Sequence, residues 1–194
     1  MNPFKAFNNI LKKYISPEII TELPKRWSER HRHYHALHHL IQILQDIEKS
    51  AWFTELSLVD KHALLLAAFF HDIIYDPKRT DNEDKSIEYF LNSYISRDIK
   101  LMYVVRNLIE VTKYRKRPFG KLEKIFWEAD NAGFRKGFSH LMKNEKLLQK
   151  EFAHVPREKY KKGKIEFIKS NIGLFGHKVD KDLHKIIQYY NEKI

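Results

Sequence analysis

An adjacent histidine and aspartate, His71 and Asp72, follow directly on an unbroken apolar run at residues 63–70. A carboxylate and an imidazole carried to the end of a buried segment are costly to desolvate unless they pair or bind a cation. Upstream, histidines 31, 33, 35, 38 and 39 crowd into nine positions, and at least one of them is expected to touch a metal or a substrate. His35 and His39 are four apart, so on a helix they share a face and can point at one centre. Past the histidine–aspartate pair come Lys78 and Arg79, and further on Lys113 and Arg115, cations suited to holding a phosphate. Asn82 and Glu83, in the polar stretch that leads into the next helix, can orient water or a ligand, or simply cap that loop. Asp130, within FWEADNAGF, reads by itself more readily as a helix cap or a surface residue than as a ligand.

The elements that must position these residues read almost entirely as helices. Residues 3–15 and 17–27 form two short amphipathic helices, with Ser16 as N-cap and Pro17 at the first helical position. From His31 onward, Leu37, Leu40, Ile41, Leu44 and Ile47 recur at helical spacing on an inward face. The apolar run at 63–70 predicts a helix buried on nearly every side, stopped by Tyr75, Asp76 and Pro77. Thr80 or Asp81 is placed to cap a helix through Lys85, Ile87, Tyr89, Phe90 and Leu91. A further helix spans 98–113. Pro118 and Gly120 mark a turn, after which 121–129 delivers Asp130. Helices at 138–155 and 157–171 are divided by Pro156, and a last one, at 180–190, follows a loop marked by Gly173 and Gly176. No repeat and no strand-like alternation stands out, so the fold class is all-α, a single helical bundle.

With 194 residues, 43% of them hydrophobic, the chain suits one domain: covering helices at 1–28, a site-bearing core at 29–132 and C-terminal helices at 133–194. No apolar stretch reaches the length of a membrane span and no signal peptide is recognisable, so no membrane partner and a cytoplasmic location are expected. The absence of cysteine excludes disulfides, thiol catalysis and sulfur-ligated zinc. Thirty-six lysines and arginines against 25 acidic residues give a formal charge of +11, which attracts phosphates, nucleic acids or acidic surfaces without choosing among them.

Taken in order, RHYHALHHL, FFHDIIYDPKRTDNEDKS, EAD and EFAHVPREKYKKGKIEFI resemble the HD-domain superfamily of metal-dependent phosphohydrolases, and more closely a bacterial family of HD phosphohydrolases of about this length. The resemblance covers residues 27–175. It implies that His39, His71, Asp72 and Asp130 form the metal set, with Asp72 also counted as catalytic. It places His35 where the cyclic-nucleotide phosphodiesterases of that superfamily carry the leaving-group acid of an HNxxH motif. The chain departs from the pattern twice. Ala36 stands in place of the motif's asparagine, and Thr112-Lys113-Tyr114-Arg115 lacks the histidine that relatives often carry after a Thr-Lys pair. Since no histidine lies between His71 and His140, a single-metal site is expected, Asp76 and Glu83 being the oxygen donors left for a second ion.

Two imidazoles and two carboxylates suit one divalent ion among Mn, Fe, Co, Ni, Zn and Mg. Bound there, such an ion would make hydroxide available near neutral pH for attack on phosphorus, with a protonated His35 as general acid. The expected function is therefore hydrolysis of a phosphomonoester or phosphodiester in a small, nucleotide-like molecule. The alternative is a non-catalytic nucleotide or nucleic-acid binding module; nucleic acid is the less favoured partner, since no specific recognition motif is visible.

Overall fold

A computed structural model describes residues 2–113 and 117–192, and they are all-α. Among them the only strand-like pairing is one isolated antiparallel bridge between Ile15 and Tyr94. The helices are α1 (Pro3–Ala6), α2 (Asn8–Tyr14), α3 (Pro17–Arg26), α4 (Leu37–Glu48), α5 (Leu58–Phe70), α6 (Asn82–Ser93), α7 (Ile99–Glu110), α8 (Lys121–Asp130), α9 (Phe138–Glu151), α10 (Arg157–Asn171) and α11 (His177–Glu192). Short 3₁₀ turns add Phe53–Glu55 and Ala132–Lys136. The chain divides into two compact units, one ending at Asp130 and one starting at Asn131.

In the first unit α5 is the central element. The Ser57 side chain caps it by accepting from the Asp60 amide, and every residue from His62 to Phe70 is buried. A helix apolar on all sides can be stable only when neighbours cover each face. Here α4, α6, α7 and α8 pack against it. Burial of Leu64, Leu66, Phe69 and Phe70 contributes roughly 2 kcal/mol per side chain. His62 is the polar member of this run, and its Nδ1 lies 2.8 Å from the Tyr14 hydroxyl, which joins α5 to α2.

Some sequence expectations shift: the helix expected at 3–15 is two, α1 and α2, parted at Phe7, and α9 ends at Glu151, short of 155. The buried stripe of α4 is His39, Leu40, Ile43, Leu44 and Ile47, with Leu37 and Ile41 only half-buried. Asp81 occupies the N-cap of α6 but makes no side-chain capping bond, because its carboxylate is taken by Arg79. Asp98 does cap α7, accepting from the Leu101 amide at 3.0 Å.

The second unit has its own apolar core of Leu141, Ile168, Val179, Leu183, Ile186 and Tyr190. Gly173 and Gly176 take φ of 85° and 92°, the left-handed region that lets the chain turn between α10 and α11. Beside this core lies a buried carboxylate, Glu145. It accepts from the Tyr160 hydroxyl at 2.6 Å and from the Tyr190 hydroxyl, and pairs with Lys164 Nζ at 2.9 Å. Burial pushes the Glu145 carboxyl up, but Lys164 and the two hydroxyls outweigh it and hold it below its ordinary value. A depressed carboxylate contributes stability that is present above its unfolded pKa of 4.5 and lost as pH falls through the folded value. Urea unfolding followed in this unit should therefore weaken below pH 4.5, and Glu145→Ala should cost about 3–5 kcal/mol at pH 7 by stranding Lys164. A variant unfolding at the wild-type midpoint would contradict this account.

Candidate metal centre

Three helix ends of the first unit converge on one point. His39 sits in the first turn of α4, His71 and Asp72 follow the last residue of α5, and Asp130 is the last residue of α8. His39, His71 and Asp72 form a group whose ligand atoms all lie within 4.8 Å of one another. Asp130 joins them: its Oδ1 is 3.1 Å from His39 Nε2 and 3.7 Å from His71 Nε2. Asp72 Oδ2 is 3.0 Å from His71 Nε2 and 4.0 Å from His39 Nε2. Ligands at about 2.0–2.2 Å from one divalent ion are themselves separated by distances of this size.

The state of His71 tests whether the four residues fit a cation. Its Nδ1 lies 3.0 Å from the Ala68 carbonyl, which can only accept, so Nδ1 carries the proton. In the neutral ring Nε2 then presents a lone pair, the second-partner arrangement common for metal-bound histidine. This Nε2 is buried and has no hydrogen-bond partner. Asp72 Oδ2 is close to it but out of hydrogen-bonding line, so a lone pair faces carboxylate oxygens with nothing positive between them. A divalent cation removes that conflict, and so does a proton. Burial alone would lower the His71 pKa, but the negative charges of Asp72 and Asp130 overcome it and raise it to about 9. Burial likewise pushes Asp72 up, yet His71, His35 and His39 hold it well below the usual carboxylate range. The imidazoles are sealed, at 1% and 5% exposure, whereas the Asp72 and Asp130 side chains retain 13% and 18%. The two carboxylate side chains thus keep a partial exposure that the two imidazoles lack.

His35 lies beside this group, though not for the reason its spacing suggests. Helix α4 begins only at Leu37, with Ala36 as its extended N-cap, so His35 belongs to the preceding turn and not to the face that carries His39. Aromatic packing holds it instead. Its ring stacks on Tyr75 at 4.3 Å and meets Tyr34 edge-on at 4.8 Å and His39 at 5.9 Å. Of the other clustered histidines, His31 Nε2 lies 2.7 Å from the Tyr75 carbonyl, and His38 is exposed.

The residues named for anion binding are distributed differently. Arg79 forms a fork with Asp81 at 2.8 and 2.6 Å, and Lys113 Nζ pairs with Asp84 at 2.6 Å. Both pairs are exposed, and such pairs are weak enough to exchange for a phosphate. Lys78 is exposed, its backbone amide donating to the Asp76 carboxylate. Arg115 lies outside the described residues. Asn82 holds the loop by exchanging two hydrogen bonds with the backbone of Asp76, accepting from its amide at 3.0 Å and donating to its carbonyl at 2.9 Å. Glu83 is close enough to the centre for the Asp72 charge to reinforce burial in raising its pKa.

Sequence reasoning missed Arg32, the one buried arginine among the described residues. In a stretch of alternating histidines it looks like one more surface cation, and only its burial distinguishes it. No family model, no curated protein and no solved structure matches this chain.

Proposed function

We propose that the protein is a metal-dependent phosphohydrolase of the HD-domain type, acting on a phosphomonoester or phosphodiester of a small, nucleotide-like molecule. The observation that carries the proposal is the buried His71 Nε2, lacking any hydrogen-bond partner and facing Asp72 and Asp130. His39, His71, Asp72 and Asp130 would hold one divalent ion, and the mixed nitrogen and oxygen donors suit Mn, Fe, Co, Ni or Zn better than Mg. When bound, such an ion supplies a Lewis acid for phosphate oxygens and an acidified water. Substrate would approach from the side of Asp72 and Asp130, whose side chains are the less buried members of the group. His35, pressed against Tyr75, gives its proton to the oxygen that leaves as the phosphorus–oxygen bond breaks. The proton lost by the attacking water goes to solvent, and His35 regains one from solvent after the product alcohol leaves, so the step balances. Lys78, and Arg79 and Lys113 after exchange of their carboxylates, supply positive charge for the incoming anion.

The test begins with elemental mass spectrometry on untagged protein. Metal-loaded protein is then assayed on p-nitrophenyl phosphate and phenyl phosphate before nucleotides are screened. A general acid matters most when the leaving group is poor. His35→Gln should therefore lower turnover of phenyl phosphate by about a hundredfold or more while sparing p-nitrophenyl phosphate. Equal loss on both esters removes the acid role from His35. Metal uptake with no hydrolysis of any phosphate ester leaves the non-catalytic binding module as the better account.

A further inference from the structure

The helix that carries His39 does not extend to His35, and the packing of its ring on Tyr34 and Tyr75 leaves its backbone to be fixed by other contacts. Arg32 has the geometry to do so. Its side chain is fully buried, and four of its N–H groups are used in known directions. Nη1 donates to the Asp72 carbonyl at 2.6 Å and to the His35 carbonyl at 3.1 Å. Nη2 donates to the Ile73 carbonyl at 2.9 Å, and Nε to Glu29 Oε2 at 3.0 Å. The guanidinium lies 5.5 Å from the Trp27 ring centre and 5.4 Å from that of Tyr75, the ring on which His35 stacks.

These contacts join two segments far apart in sequence, Arg32 lying 40 residues before Asp72, and they tie backbone to backbone where the contacts of Tyr75 with His31 and His35 involve side chains. Asp72 and Ile73 lie just past the C-terminal end of α5, where carbonyls have lost their helical partners and the helix dipole favours a cation. His35 lies in the turn before α4. One guanidinium edge therefore fixes the backbone of the general acid against the backbone of a metal ligand. With all but one N–H committed and no exposed surface, Arg32 is not available to bind a substrate phosphate.

We infer that Arg32 is a positioning residue, which holds His35 at the distance from the metal cluster needed for proton donation; its catalytic part rests on the phosphohydrolase reading above. A lysine keeps the charge but offers a single point in place of the planar fork, and it cannot bridge the same three carbonyls. Arg32→Lys is accordingly expected to keep its metal and its KM for both aryl phosphates. Its kcat for phenyl phosphate should fall by about 10–100-fold, with little change for p-nitrophenyl phosphate. In a His35→Gln background the same substitution should cost less than about threefold, because its effect passes through His35. Equal losses on the two esters, or the same loss in both backgrounds, would overturn the inference and leave Arg32 as general support for the fold.

A second readout does not depend on turnover. The His35 ring signal in zinc-loaded protein, followed by carbon–proton NMR, should be single and sharp in wild type and broadened or doubled in Arg32→Lys. An unchanged signal counts against the inference even if no substrate is ever found, whereas absent hydrolysis with the expected spectral change counts only against the phosphohydrolase reading. Should Arg32→Lys fail to fold, Glu29→Ala removes the carboxylate that accepts from Nε and leaves the arginine in place. It should shift the same ester preference and the same signal in the same direction, and a wild-type result on both would equally overturn the assignment.

Discussion

Asp72→Ala and His71→Ala are expected to lose the bound metal, from about one ion per chain to background, and with it all measurable phosphate release. The loss should exceed the roughly hundredfold to thousandfold that follows removal of a single transition-state donor, because it removes the nucleophile's activation along with the charge stabilisation. Helicity should survive in Asp72→Ala, since the apolar body of α5 and the bond from His71 Nδ1 to the Ala68 carbonyl do not involve the carboxylate. Elemental mass spectrometry, circular dichroism and phosphate release on the same samples check the three statements. Asp72→Ala with wild-type metal content and turnover would eliminate this centre as the site of reaction.

Removal of metal should make stability depend on pH in a direction opposite to that of most acid-sensitive proteins. The charges of Asp72 and Asp130 raise the His71 pKa from 6.5 to about 9, so in metal-free protein a proton on His71 would stand in for the proposed cation. A group whose folded pKa lies above its unfolded value contributes stability that is fully present below pH 6.5 and lost as pH rises through about 9. That contribution is on the order of 3 kcal/mol. Asp72, held far below its ordinary range, stays ionised across this window and adds no slope of its own. Urea titrations in chelator should therefore show falling stability between pH 6.5 and 9. Added zinc or manganese should flatten or reverse the trend, since metal must displace the His71 proton and binds more tightly as pH rises. A flat profile in chelator would mean that His71 carries no extra proton, and the electrostatic account of the centre would fall with it.

The parts legible in the sequence were those written in local pattern. The apolar run at 63–70 could only be a helix enclosed by others, and α5 is that helix. Helical periodicity from 121 onward carried the chain to Asp130, which is the last residue of α8. His35 shows where local pattern failed. A four-residue spacing implies a shared helix face only if the helix is present, and here the chain is still extended at Ala36. The two histidines nevertheless adjoin, because Tyr34 and Tyr75 pack His35 in place. For the cations, local pattern was incomplete for a different reason. Charge at a sequence position says nothing of what already neutralises it, and Arg79 and Lys113 each face a carboxylate that the fold brings close.

By itself, then, the sequence determined which helices form and that a histidine and an aspartate would be stranded at the end of the most buried one, because periodicity and burial are properties of neighbours along the chain. Only the tertiary structure decided that Asp130 approaches His39 from 91 residues away, and that Arg32 is a buried clamp and not a surface charge. Both depend on how helix ends meet in space, which packing among α4, α5 and α8 sets and local pattern does not encode.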